Sequence, residues 1–224
     1  MIAAAFVFLG ATLVVALRSY GAFGHGGIRP RLIAAVGLWI VAVIGCWLAM
    51  RQPGFDPDHA GFFTLGWRQL GFGVLFGLLG LMSFPAYIFL AKTLGGQPPK
   101  TDTLEVISSA SVVQRLFLLF TAAGAEELIF RAVAIGALMA AGINHSLATA
   151  VPLIVFVLLH RSSWGILHLL FVTLAGALMT AAFIFGGFWA AALAHLIVDA
   201  PMMLAGKALS ARVNRNHVEG IGRE

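Results

Sequence analysis

The stretch AEELIFRAV, residues 125–133, puts two carboxylates and a guanidinium inside a run that otherwise reads as membrane-spanning helix. Hydrophobic residues make up 60% of the 224-residue chain and charged residues only 10%, with a mean hydropathy of +0.96. A soluble domain carries about 25% charged residues, so the surroundings of the segment point to lipid. The 18 Phe and 26 Gly agree, since small residues let membrane helices approach closely while aromatics fill outward faces. The fold class expected is therefore all-α, a multi-pass transmembrane helical bundle.

About 20 apolar residues cross a bilayer. By that measure the spans fall near 2–17, 32–50, 69–91, 112–141, 146–160, 164–185 and 188–206, about seven in all. The first lacks a basic leader segment and reads as a retained helix. Three regions follow: N-terminal helices with a polar connector (1–110), a helical core (111–206) and a basic tail (207–224). The connectors GAFGHGGIRPR, RQPGFDPDHAG and LGGQPPKTDTLEVISSA are polar and rich in Gly and Pro. GHGG reads as a turn, because no strand precedes it and no GK[ST] follows. The single cysteine, Cys46, excludes an intrachain disulfide.

Lys and Arg total 14 against 9 Asp and Glu, but no basic face interleaved with aromatics lies outside the apolar runs, so a nucleic-acid partner is not expected. Threading the spans alternately puts Arg18, Arg29, Arg31, Lys92, Lys100, Arg115, Arg161, Lys207, Arg212, Arg215 and Arg223 on one side, and Arg51 and Arg68 on the other. Basic loops stay in the cytoplasm. The N-terminus is then outside and the tail inside, in what the short connectors suggest is a prokaryotic cell membrane.

Only Glu126, Glu127, Arg131 and Asp199 are charges deep in apolar spans, each costing roughly 2.5 to 3.5 kcal/mol or more in lipid. Glu127 and Arg131 stand at i and i+4, acid first, the favourable order for a helical ion pair. Glu126 is turned about 100° away on an α-helix and needs a partner elsewhere. Of seven histidines, His25, His59, His145 and His217 lie in connectors, at a span start or in the tail. His160 closes VPLIVFVLLH one turn after Phe156, and His195 sits one turn before Asp199. His168, four residues after Trp164, reads as packing or the rim of a cavity. Any one such histidine is commonly a packing residue; a free carboxylate with two histidines on three helices is harder to explain by packing.

EELIFR, FVLLH and HLIVD resemble the EExxxR, FxxxH and HxxxN/D motifs of the CPBP family of CAAX-processing and bacteriocin-processing intramembrane proteases. They occur in the family's order, over about residues 110–205, with Ala132 where a glycine commonly follows the arginine. The resemblance implies catalytic roles for Glu126, His160, His195 and Asp199, with Glu127 and Arg131 supporting the helix that presents Glu126.

The residues alone suggest compatible chemistry. Peptide hydrolysis in a bilayer needs an activated water, a proton acceptor and donors for the oxyanion. Glu126 with His160 can deprotonate a water, and His195 with Asp199 can face the carbonyl oxygen. A zinc ion on Glu126, His160 and His195 would also supply an activated water, although no HExxH is present; the metal-free route is preferred. Two non-peptidase readings compete. A scaffold or bacteriocin-immunity protein would not require every motif residue, and a proton-coupled transporter would be expected to show repeats that are absent here. The expected partners are a peptide or membrane-protein substrate and the bilayer.

Overall fold

The computed structural model describes residues 1–22, 26–93, 102–160 and 166–221, with side chains described except at 91–92, 102–104, 166–167 and 205–221. His25, Lys100, Arg161, Trp164 and Arg223 lie outside these residues, as does the side chain of His217. Among the described residues the chain is helical, with no strand: α1 (Ile2–Ser19), α2 (Arg29–Met50), α3 (Trp67–Thr93), a short α4 (Asp102–Ser109), α5 (112–140) and α6 (His145–Leu159). The last helical stretch, Ile166–Ile221, is interrupted at Gly187, which divides it into α7 (166–186) and α8 (188–221). Seven long helices thus occupy the positions expected for seven spans. The stretches Ile2–Ser19, Arg29–Met50, Trp67–Leu90 and His168–Leu204 are long and apolar enough to cross a membrane, the last containing the α7–α8 break.

Local sequence explains the helix ends. Pro30 stands in the first turn of α2, where its missing N–H costs nothing. Ser111 and Gln114 form a capping box at the start of α5, and Asn144 Oδ1 accepts from Leu147 N at 3.0 Å to start α6. Gly142, with φ of 81°, follows the end of α5. The expected polar connector at 94–110 contains α4, and the cause is simple: Ile107 is 2% exposed and packs with Leu119 and Met203, so one apolar face has a core to join.

Glycine contacts fix the helix directions. Gly10 meets Val41, Gly37 meets Val14 and Gly45 meets Val7, the register of an antiparallel α1–α2 pair. On α3, Gly73 meets Leu193, Gly77 meets Ile197 and Gly80 meets Val198, so α3 and α8 run parallel. Phe72 and Phe76 stack on Phe185, while Phe84 meets Phe171, so α3 and α7 run antiparallel. The chain must therefore reverse between α7 and α8. Gly187 makes that turn with φ of 71° and ψ of −166°, a region essentially restricted to glycine. The connector 51–66 holds the turn in place: Phe188 N donates to Ala60 O at 3.0 Å and Trp189 Nε1 to Phe62 O at 3.1 Å. It also holds the end of α5, through Gln52 Nε2 donating to Ala137 O at 2.7 Å.

A Cβ on Gly187 would stand 2.8 Å from Gly61 Cα. Gly187→Ala is expected to cost at least about 1 to 3 kcal/mol from backbone strain alone, read as a lower thermal midpoint in detergent. Gly71→Ala, at a helical position open on all sides, should leave the midpoint unchanged or raise it.

Candidate active site

The middle of α5 departs from α geometry. Val112–Phe120 and Ala134–Ala140 are α-helical, but Thr121–Glu126 and Leu128–Val133 are π-helical, with the i→i+5 bonding that often marks functional positions. The rotation expected between Glu126 and Glu127 assumed a regular α-helix, so the π turns change which neighbours each can reach. Trp39 of α2 braces the segment: its ring lies where a Cβ on Gly124 would be, 2.8 Å away, and its Nε1 donates to Thr121 Oγ1 at 3.0 Å.

Glu127 is 0% exposed and Arg131 1%. Arg131 Nη1 donates to Glu127 Oε1 at 3.0 Å, the i to i+4 pair read from the sequence. Further contacts tie this pair to the helices around it. Arg131 Nη2 donates to Gly176 O of α7 at 3.1 Å, and its guanidinium lies over the Phe156 ring of α6, 4.5 Å from the centroid. His195 Nδ1 of α8 lies 2.7 Å from the same Glu127 Oε1. One carboxylate oxygen and one guanidinium therefore join α5 to α6, α7 and α8.

His195 is 5% exposed, and its Nε2 faces Asp199 Oδ2 at 3.5 Å, one turn along α8. His160 follows the last residue of α6 and donates from Nδ1 to Phe156 O at 2.8 Å. That bond leaves Nε2 with the lone pair, available to accept a proton. Glu126 is partly buried; the titratable groups that act on it electrostatically are His160, His195, Asp199 and Glu127. His168 packs beside Tyr87 at 6.3 Å and Phe171 at 6.0 Å between ring centroids.

Sequence reasoning missed the Glu127–His195 contact, the Gly176 carbonyl and the use of Phe156. Phe156 gave a signal in its i−4 spacing from His160: one ring touches Arg131, lies tilted against His160 at 4.5 Å and meets His195 edge-on at 6.5 Å. Gly176 gave none, because a backbone acceptor has no residue signature. Among the described residues no group of three His, Cys, Asp or Glu side chains is placed to hold a metal ion.

Comparison with protein families identifies the segment that builds this site. Residues 108–201 match the Rce1-like family, type II CAAX prenyl endopeptidase Rce1-like. The Rce1-like segment contains Glu126, Glu127, Arg131, His160, His195 and Asp199, and it agrees with the resemblance carried by the three motifs. No curated protein and no solved structure matches the chain. The apolar helices and the Rce1-like match of this segment indicate an integral membrane protein.

Arg131→Leu leaves a fully buried carboxylate without its cation and should destabilise the fold by about 3 to 5 kcal/mol. Glu127→Gln combined with Arg131→Met removes both charges and should cost less than Arg131→Leu alone. Thermal unfolding of the purified variants in detergent checks the order.

Proposed function

We propose that the protein is an intramembrane endopeptidase in which Glu126 and His160 activate the water that attacks the scissile carbonyl. The observation that carries this reading is the company of Glu126: a carboxylate outside the Glu127–Arg131 pair, coupled electrostatically to His160, His195 and Asp199. In the first step the water oxygen bonds to the carbonyl carbon while its proton passes to Glu126 or His160. The carbonyl electron pair moves onto oxygen, where a donor from His195, with Asp199 beside it, stabilises the oxyanion. When the intermediate collapses the C–N bond breaks, and the proton held by Glu126 or His160 goes to the leaving amine.

The Rce1-like match supports a peptide substrate met in a membrane context. The Lys and Arg asymmetry supports an outside N-terminus and a cytoplasmic end of α8. Zinc has no part in this route.

Glu126→Gln should abolish cleavage of a membrane-protein or peptide substrate in detergent while the variant purifies as folded protein. Asp199→Asn keeps a hydrogen-bonding group and should retain most activity, whereas Asp199→Ala should lose roughly 10²-fold or more, the scale of a missing oxyanion donor. Cleavage should persist in chelator. Loss of activity in chelator with restoration by zinc, or full activity in Glu126→Gln, would overturn the mechanism.

A further inference from the structure

A buried carboxylate with a nearby arginine normally counts as a structural pair, and Glu127 was read that way from its spacing. Its surroundings ask more of it. Oε1 accepts from Arg131 Nη1 at 3.0 Å, and a guanidinium can only donate. An oxygen already facing that donor accepts a second hydrogen bond through its other lone pair. The His195 nitrogen at 2.7 Å must therefore be the donor. Nδ1 of the ring therefore carries a hydrogen, and Nε2 is the atom turned toward Asp199 at 3.5 Å.

We infer that Glu127 is the positioning residue of His195: it commits Nδ1 as a donor, fixes the plane of the ring and turns Nε2 toward the reaction site. Arg131 is part of the same device. Its second nitrogen holds the Gly176 carbonyl of α7 and its face rests on Phe156 of α6, so the carboxylate that orients His195 is itself held from two further helices. The arrangement gives a reason for two adjacent glutamates, one meeting the water and the other orienting the group across from it. The catalytic consequence rests on the proposed peptidase mechanism, whereas the orientation of the ring does not.

The test is Glu127→Asp in the full chain, purified in detergent. Aspartate keeps the negative charge for Arg131 but withdraws the carboxylate by one methylene from His195. Histidine labelled with ¹⁵N, with the His195 signal assigned by its loss in His195→Gln, reports the ring directly. In the unaltered protein His195 should show an exchange-protected Nδ1–H, lost or redistributed in Glu127→Asp. Cleavage per folded molecule should fall about 10²-fold, the scale of a small misplacement of a reacting group, in kcat with KM unchanged. Glu127→Asp should add no further loss to His195→Gln, as expected when one residue acts through the other.

If Glu127→Asp does not yield folded protein, the charge-free pair Glu127→Gln with Arg131→Met takes its place, and the same Nδ1–H signal should be weakened. An unaltered protein whose His195 lacks the Nδ1–H, or a Glu127→Asp variant that keeps both signal and kcat, would overturn the inference. If the unaltered protein cleaves nothing while the Nδ1–H behaves as expected, the peptidase reading fails and the positioning stands.

Discussion

The polar core of this molecule answers to one constraint: a carboxylate with 0% exposure needs donors where water does not reach it. Glu127 meets the constraint through one oxygen, Oε1, which takes two donors, Arg131 from its own helix and His195 from α8. Arg131 then needs an acceptor for its second nitrogen and takes the Gly176 carbonyl on α7. Helix directions, helix spacing and the π turns of α5 all have to be compatible with these few bonds. In hydrocarbon, broken polar contacts find few replacements, so such a network specifies the arrangement of four helices more sharply than apolar packing alone.

The Gly187 turn is the other half of that arrangement. Gly176 and His195 are 19 positions apart in the sequence, which on a continuous helix would separate them by about 28 Å. Both nevertheless bond to side chains one turn apart on α5. Only a reversal between them allows this, and Gly187 supplies it against Gly61 in the connector 51–66. Part of the site's geometry is thus set at one end of the bundle, where Phe188 and Trp189 are tied to that connector.

Much of this was legible in the sequence. Apolar runs long enough to span a bilayer located the seven long helices, because the cost of unsatisfied backbone in lipid leaves helix as nearly the only choice. The Glu127–Arg131 pair followed from i, i+4 spacing, and Glu126 and Asp199 stood out as charges in apolar spans. Other features had no one-residue signal. The π segments have no local pattern to announce them, nor does the contact of Trp39 with Thr121 across α2 and α5. Helix α4 exists because Ile107 finds Leu119 and Met203, residues distant in the chain. The Glu127–His195 bond depends on the fold of α8 against α5, which single-sequence periodicity does not encode.

The central claim is that Glu126 stands opposite His160 across a site that water can enter. An experimental structure in lipid nanodiscs, at a resolution that shows ordered water, tests it most directly. The account predicts a water bridging the Glu126 carboxylate and His160 Nε2, with His195 held by Glu127 on the far side of the site. Glu126 turned toward the acyl chains, with no water between it and either histidine, would contradict it.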